Sequence, residues 1–260
     1  MSRSVEQGRS PGVSLAVLAL ASACSINSGQ PQYDIVSQFP HDTSAYTQGL
    51  VYSAGRIYES TGRLGLSQLR QLDATTGILE ASVALPTDRF GEGLALLEGK
   101  LYQLTWKSGV GYVYDATTLV LQDSFNYSGE GWGLATDGTS LIVSDGTSNL
   151  RVLDPQTFQV TREVTVTDDG LPLSQINELE YIGGELYANI YQSDWIVRIS
   201  PVTGEVLAWI DLAGILPADQ RTAATDVLNG IAFNKDTGHL FVTGKLWPWM
   251  FEIRLHGLPN

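Results

Sequence analysis

Short apolar segments separated by turn residues repeat along this chain with a long period. Each repeat opens with a Gly-Leu pair or a close equivalent, and the residue before that pair differs every time. Successive openings are 44, 40, 45 and 52 residues apart, and they lie at Gln48, Glu92, Trp132, Asn177 and Asn229. Self-similarity with such a period is typical of solenoids and propellers, so it indicates a repeated supersecondary unit.

Each repeat contains further apolar runs at similar offsets. The second run follows the opening after nine residues in four repeats and after eleven in the fifth, at Ile57, Leu101, Leu141, Leu186 and Leu240. A third and a fourth run come next, separated by turn sequences such as Ala74-Thr75-Thr76-Gly77. Four strands make one propeller blade. We therefore predict an all-β, five-bladed β-propeller with four-stranded blades.

The fifth repeat lacks a fourth strand. It ends near Leu255, whereas an alternating segment at residues 33–39 has no place in the first repeat. We predict that this N-terminal segment completes the last blade as its outermost strand, which closes the ring and removes open sheet edges. A single propeller domain then spans residues 33–260. Only the long connection at 213–228 leaves room for helix, and it is a candidate lid.

The first 30 residues differ in composition from the rest. Two arginines precede an apolar run at 13–23, which suits a signal peptide and is too short to span a bilayer. The run ends in the cleavage signal Ala21-Ser22-Ala23, and Cys24 follows it, as in bacterial lipoprotein signals. We predict a signal peptide at 1–23, a flexible linker at 24–32 and export to the periplasm or the extracellular space. Cys24 either carries a lipid that anchors the protein to the outer membrane or is incidental.

Charge and composition limit the classes of molecule that the protein is expected to bind. The net charge of −13 would repel nucleic-acid phosphates and anionic lipid surfaces. A single cysteine permits no internal disulfide. The three histidines occupy unrelated repeat positions, which argues against a histidine-based metal site: His41, His239 and His256. We expect a monomer with no metal or other cofactor and no nucleic-acid partner.

Alignment of the repeats places equivalent residues on rings around one axis. The first ring holds the residues that precede the opening pairs: Gln48, Glu92, Trp132, Asn177 and Asn229. The second lies five residues beyond each second-strand marker, at Gly62, Trp106, Gly146, Tyr191 and Lys245. A hairpin brings the start of one strand close to the end of its partner. Both rings are therefore expected at the same mouth of the propeller's central channel, which is called the mouth below. Their mixture of charged, amide and aromatic side chains predicts a ligand site.

Glu92 is the one carboxylate of the two rings, and it lies between two glycines. Burial among aromatic side chains would raise its pKa and suit it to proton transfer. Plainer interpretations stay open at this point. Glu92 could line a water-filled channel with Lys245 as its structural counter-ion, the aromatic residues could be packing, and the amides could satisfy backbone groups at strand starts.

Several stretches of the chain resemble the plant and bacterial type of glutaminyl-peptide cyclotransferase, or glutaminyl cyclase. The resemblance spans the whole predicted mature chain, residues 24–260. It rests on Phe39-Pro40-His41-Asp42, Tyr46-Thr47-Gln48-Gly49-Leu50, Phe90-Gly91-Glu92-Gly93-Leu94, Ile176-Asn177-Glu178-Leu179-Glu180, Asn189-Ile190-Tyr191 and Asp226-Val227-Leu228-Asn229-Gly230-Ile231. It implies a five-bladed propeller that converts the N-terminal glutamine of peptides or proteins to pyroglutamate and releases ammonia, without a catalytic metal. It also implies that Glu92 is the catalytic acid, with these residues in its site: Gln48, Trp106, Trp132, Asn177 and Lys245. Tyr46 and Tyr191 depart from the Phe and Trp usual in the family, which affects pocket size and peptide preference.

The implied reaction assigns a role to each group. Glu92 would carry a proton from the substrate's α-amine to the departing nitrogen. Lys245, or an amide of Gln48, Asn177 or Asn229, would stabilise the oxyanion. Trp106, Trp132 and Tyr191 would hold the bent side chain. Two other functions stay open, namely a propeller that only binds a partner in the cell envelope and a propeller lactonase or esterase.

Overall fold

A computed structural model describes residues 32–257 of the chain. The predicted signal peptide, Cys24 and all of the predicted linker except Gln32 lie outside the described residues. Secondary structure in the described part is strand, apart from one 3-10 helix at Ala218–Gln220. No helix there is long and apolar enough to cross a membrane.

Five four-stranded antiparallel sheets follow one another along the chain. The first strand is β1 (Tyr33–Pro40), and blade 1 comprises β2 (Thr47–Ser53), β3 (Arg56–Thr61), β4 (Gln68–Asp73) and β5 (Leu79–Ala84). Blade 2 comprises β6 (Gly91–Leu97), β7 (Lys100–Thr105), β8 (Val110–Asp115) and β9 (Leu121–Asn126). Blade 3 comprises β10 (Leu134–Thr136), β11 (Leu141–Val143), β12 (Asn149–Leu153) and β13 (Val160–Thr165).

A two-stranded hairpin separates blades 3 and 4, formed by β14 (Thr167–Asp168) and β15 (Leu171–Pro172). Blade 4 comprises β16 (Ile176–Ile182), β17 (Glu185–Ile190), β18 (Trp195–Ile199) and β19 (Val206–Asp211). Blade 5 contains β20 (Leu228–Asn234), β21 (His239–Gly244) and β22 (Trp249–Leu255). The predicted five-bladed all-β propeller is confirmed.

The N-terminal strand completes blade 5. Its sheet has the order β1-β22-β21-β20, and β1 pairs with β22 in antiparallel register from Tyr33 opposite Leu255 to Pro40 opposite Trp249. The closing strand predicted from residues 33–39 is thus present as the outermost strand. It gives β22 a partner and leaves no blade with only three strands.

The hydrophobic core lies between neighbouring blades. Five buried clusters fill the contacts between blades 1 and 2, 2 and 3, 3 and 4, 4 and 5, and 5 and 1. Each inner strand contributes to them because alternate side chains point to opposite faces of a strand. Full burial of one aliphatic side chain stabilises a fold by roughly 1.5–3 kcal/mol, so these contacts hold the ring together.

The glycines of the repeated Gly-Leu pairs allow the inner strands to approach closely. A Cβ on Gly49 would lie 2.6 Å from the backbone nitrogen of Leu94, and one on Gly93 would lie 2.5 Å from that of Leu134. A Cβ on Gly133 would lie 2.0 Å from the carbonyl oxygen of Asn177. A side chain at these positions would therefore force adjacent blades apart.

The connection at 213–228 between blades 4 and 5 contains only the single 3-10 turn at Ala218–Gln220. Ile215 and Leu216 are buried in the cluster between blades 4 and 5, which fixes the first part of the connection to the ring. Movement of this connection as a lid stays a prediction.

Candidate active site

Four of the five first-ring residues lie at irregularities of their inner strands. The strand register shifts between Thr47 and Gly49, Gly91 and Leu94, Ile176 and Leu179, and Leu228 and Ile231. These intervals contain Gln48, Glu92, Asn177 and Asn229. A β-bulge bends a strand and redirects side chains, and bulges are common beside active sites. Strand β10 begins only after Trp132, so blade 3 presents its ring residue from a loop.

The two predicted rings meet at one mouth. Gln48 contacts Glu92 from the neighbouring blade, and the Trp132 ring lies edge-on to the Tyr191 ring with the centroids 5.5 Å apart. Gly146 lies against the Trp132 ring, and Gly62 lies against the Phe90 ring. The glycines of the second ring thus make room for aromatic rings instead of adding side chains of their own.

Glu92 is 4% exposed, and burial raises the pKa of its carboxyl well above the usual range. The positive charge of Lys245 opposes this shift, and the negative charge of Glu130 adds to it. The Gln48 amide donates a hydrogen bond of 3.1 Å to Glu92 Oε1. Oε2 receives no hydrogen bond from the described residues. The carboxyl is therefore held in place at one oxygen and open to proton transfer at the other.

The buried amides form a short chain beside Glu92. The Asn229 amide nitrogen donates to the Thr47 carbonyl at 3.0 Å and to Gln48 Oε1 at 3.4 Å, which orients the Gln48 amide toward Glu92. Among the described residues, Asn177 Oδ1 and Asn229 Oδ1 are buried without a hydrogen-bond partner. A buried acceptor without a donor is costly unless a ligand supplies one.

Lys245 is 3% exposed, and its ammonium lies 5.0 Å from the ring centroid of Tyr46 and 5.2 Å from that of Tyr191. Burial lowers the pKa of Lys245, while Glu92 and Asp226 oppose the shift. No ion pair within 4.0 Å joins Lys245 to a carboxylate of residues 32–257. The cation is therefore held by aromatic faces and is not in direct contact with Glu92.

A buried polar network fixes the segment that follows Lys245. The His41 ring nitrogens lie 2.9 Å from the Trp247 carbonyl oxygen and 2.9 Å from Glu59 Oε1. Glu59 also accepts from the Thr47 hydroxyl at 2.7 Å and pairs with Arg70 at 3.2 Å. Because Thr47 precedes Gln48, this network ties together the two segments that carry Gln48 and Lys245.

A model of the glutamine cyclotransferase family matches residues 12–255 of the chain. The chain belongs to the glutamine cyclotransferase family. It is 45% identical over 230 residues to the glutaminyl-peptide cyclotransferase of Arabidopsis thaliana, covering 86% of this chain and 71% of that protein. Its fold resembles the crystal structure of Myxococcus xanthus glutaminyl cyclase with a TM-score of 0.81 at 38% identity, covering 89% of this chain and all of the other.

Membership of the glutamine cyclotransferase family confirms the resemblance carried by the sequence motifs. In this family member, contacts join all of the predicted site residues except Asn177, whose side chain is buried at the equivalent position of blade 4. Tyr46 and Trp106 join the group through Phe90, whose ring centroid lies 6.1 Å from that of Tyr46 and 5.7 Å from that of Trp106.

Glu130 is a site residue that the two rings did not include. Its Oε2 accepts from the indole nitrogens of Trp106 at 2.7 Å and Trp132 at 3.0 Å, while Lys107 lies 3.5 Å from Oε1. One carboxylate thus fixes both tryptophans. Glu130 lies two residues before Trp132, as Tyr46 and Phe90 lie two before Gln48 and Glu92. The repeat alignment, moved by two positions, identifies all three residues.

Asp226, at the end of the 213–228 connection, is a second acid that the rings missed. Its Oδ2 accepts from the Tyr46 hydroxyl at 2.9 Å, and its backbone nitrogen donates to the Lys245 carbonyl at 3.0 Å. The Trp247 indole nitrogen donates to its carbonyl at 2.8 Å. Tyr46 has a hydroxyl that the usual Phe lacks. Through this hydroxyl it forms a hydrogen bond that holds the end of the 213–228 connection against the site.

Within residues 32–257, no group of three or more His, Cys, Asp or Glu side chains converges in a way that could hold a metal ion. The site offers a buried carboxyl, a buried cation, amides and a set of aromatic side chains. We call these aromatic side chains the aromatic wall: Trp106, Trp132 and Tyr191. Metal independence of the reaction stays a prediction.

Proposed function

We propose that this chain converts the N-terminal glutamine of peptides or proteins to pyroglutamate and releases ammonia. The observation that carries the proposal is Glu92, a buried carboxyl of raised pKa with one oxygen bonded to Gln48 and the other without a donor among the described residues. The names of the Arabidopsis and Myxococcus relatives support it. The reaction is an acyl transfer, because the γ-acyl group moves from the side-chain nitrogen to the α-nitrogen.

During the reaction, one proton must move from the α-nitrogen of the glutamine to its side-chain nitrogen. The neutral α-amine attacks the γ-carbonyl carbon, which forms the ring C–N bond and gives a tetrahedral intermediate. Glu92 takes a proton from the α-nitrogen and delivers it to the side-chain nitrogen, and the C–N bond to that nitrogen then breaks to release ammonia. A carboxyl with a raised pKa suits both halves of this transfer near neutral pH.

The neighbouring groups have distinct parts in this scheme. Lys245, held over aromatic faces, would stabilise the oxyanion that forms on the γ-carbonyl oxygen. The Oδ1 atoms of Asn177 and Asn229 would accept hydrogen bonds from the α-amine and orient its lone pair toward the carbonyl. Gln48 would position Glu92 through its amide.

The aromatic wall supplies the orientation. Trp132 and Tyr191 lie edge to face, and Glu130 fixes the indoles of Trp132 and Trp106. A glutamine side chain held in its bent conformation against this wall would react intramolecularly, which removes much of the entropic barrier.

The predicted signal peptide also bears on where the protein acts. We infer that residues 1–23 direct export and that the protein acts in the periplasm or outside the cell, as a monomer. Cys24 would be the attachment point if a lipid anchors it. Retention of a Cys24→Ala variant in the membrane fraction would contradict the lipid anchor.

A peptide assay tests the reaction. Incubation of the protein with Gln-Ala-Ala-amide is expected to remove the mass of one ammonia from the peptide and to release ammonia in equal amount. The same rate is expected in the presence of a metal chelator. A protein that binds the peptide and leaves its mass unchanged would instead support the binding-only alternative. Hydrolysis of a lactone or an ester would support the hydrolase.

A further inference from the structure

A cavity of about 440 Å³ opens beside the aromatic wall. Its lining consists of Glu130, Trp132, Asp145, Gly146, Thr147 and Gln175. The volume lies in the range of ligand-binding pockets. Trp132 and Glu130 belong both to this cavity and to the surroundings of the proposed glutamine site, so the two spaces are neighbours.

The walls of the cavity are fixed by backbone hydrogen bonds. Gln175 donates to the Gly146 carbonyl at 2.7 Å, and Tyr191 donates to the Gln175 carbonyl at 2.8 Å. Gly146 has a positive φ of 81°, and a Cβ there would lie 2.7 Å from the Trp132 ring. The loop therefore packs directly on the indole, and the cavity is formed before any ligand arrives.

The charged side chains of the lining are the carboxylates of Glu130 and Asp145. Two cations approach them without lining the cavity. Arg151 lies 3.7 Å from Asp145 and donates to the carbonyls of Ser128 and Glu130, and Lys107 lies over the Trp106 ring. The cavity itself offers carboxylate, hydroxyl and amide groups beside an indole.

We propose that this cavity is the subsite for the residue that follows the N-terminal glutamine, and that it favours lysine or arginine there. The inference rests on the proposed function: the cavity shares Trp132 and Glu130 with the surroundings of the proposed glutamine site, so it lies within reach of the residue next to a bound glutamine. A long cationic side chain would lay its methylene stem on the indole and place its charge near the carboxylates. A second residue with a carboxylate side chain would be repelled.

Three peptides of equal length test this preference: Gln-Lys-Ala-amide, Gln-Ala-Ala-amide and Gln-Glu-Ala-amide. At low ionic strength we expect kcat/KM to be about tenfold higher for the lysine than for the glutamate peptide, mainly through KM, because exposed charges interact strongly when little salt is present. The ratio is expected to shrink as salt is added.

Two variants test whether the cavity causes the preference. Asp145→Asn keeps the oxygen that accepts from the Thr147 N–H at 3.1 Å and from its hydroxyl at 2.6 Å, while the charge is lost. The lysine-to-glutamate ratio should fall about threefold. Gln175→Lys adds a cation to the lining and should bring the ratio to about one or reverse it.

Asp137→Asn is the matched control. Asp137 belongs to the same type of Asp-Gly-Thr turn, at the opposite end of the β10–β11 hairpin, and accepts from the Thr139 N–H at 2.9 Å and hydroxyl at 2.8 Å. It loses the same charge away from the cavity, so its ratio should equal that of the wild type.

Two results would overturn the subsite while leaving the proposed function intact. One is turnover of the lysine and glutamate peptides within twofold of each other. The other is an equal fall in the ratio for Asp145→Asn and Asp137→Asn, which would show that only the overall negative charge matters. Absence of turnover for all three peptides would overturn the proposed function itself.

Discussion

Two buried carboxyls on inner strands, Glu92 and Glu178, differ in what their oxygens contact. Glu178, in blade 4, accepts from the Leu50 N–H of blade 1 at 3.2 Å and from the Ile231 N–H of blade 5 at 2.9 Å. Within the described part of the chain, Glu92 accepts one hydrogen bond, from the Gln48 amide, and it faces an aromatic mouth with a buried cation nearby.

Burial raises the pKa of both carboxyls well above the usual range. The raised pKa therefore does not by itself identify the catalytic residue. The hydrogen-bond partners distinguish the two residues, because both oxygens of Glu178 accept from the backbone of other blades, while one oxygen of Glu92 has no donor among residues 32–257. Glu178 links blade 4 to blades 1 and 5, whereas one oxygen of Glu92 is available to a substrate.

Glu92→Gln should give the largest effect. The amide cannot carry the proton, so we expect kcat to fall by about 10²–10⁴-fold or more with peptide binding largely kept. Because the raised pKa means that the native state loses stability as pH rises through it, the neutral amide should be at least as stable as the wild type at pH 8. Ammonia release and thermal unfolding measure the two effects. Near-normal ammonia release would rule out Glu92 as the proton carrier.

Lys245→Met should come next, with kcat lower by about 10²-fold as the oxyanion loses its cation. The pKa of Lys245 is lowered, so wild-type activity should decline at high pH before an ordinary lysine would lose its proton. Lys245→Arg keeps its charge to higher pH and should move this decline upward. A pH profile of kcat for the three proteins measures the shift. An unchanged alkaline limb in Lys245→Arg would show that Lys245 is not the group responsible.

Glu178→Gln should affect stability instead of chemistry. The amide can accept only one of the two backbone N–H groups, so we expect a loss of about 1–3 kcal/mol in the free energy of unfolding. Denaturant unfolding at pH 6 measures it, and kcat per folded molecule should stay within twofold of the wild type. A large loss of kcat in fully folded Glu178→Gln would remove the distinction between the two carboxyls.

Glu180→Gln is the control for that stability change. Among the residues that the structure describes, one backbone group donates to Glu180, the Phe233 N–H at 2.9 Å, and an amide oxygen can accept the same bond. Burial raises the pKa of Glu180 to about 8, so wild-type stability should fall as pH rises toward and through that value. The variant should lose this part of the decline.

The repeat pattern was sufficient to predict the architecture and most of the residues that lie together at the mouth. The opening pairs locate the inner strands because the Gly49 and Gly93 positions have no room for a side chain, and equivalent positions around a ring must meet at one mouth. The β-bulges could not be seen, since they are backbone irregularities within otherwise regular apolar runs.

Two acids were missed for different reasons. Glu130 lies outside the positions chosen for comparison, although the offset shared with Tyr46 and Phe90 would have found it. Asp226 reaches the site through a bond to Tyr46, which is 180 residues away in sequence. No local pattern encodes such a contact, because it depends on where the end of the 213–228 connection packs in the folded propeller.

The pairing of β1 with β22 makes the order of synthesis matter. The first strand has no partner until the last one has been made, since Tyr33 lies opposite Leu255. Loop-closure entropy must be overcome across nearly the whole domain before this contact forms, which makes closure intrinsically late and slow. A chain truncated before β22 would keep an unpaired strand at one end and an incomplete blade at the other. Such a chain could not close the propeller, so closure depends on synthesis of the last strand.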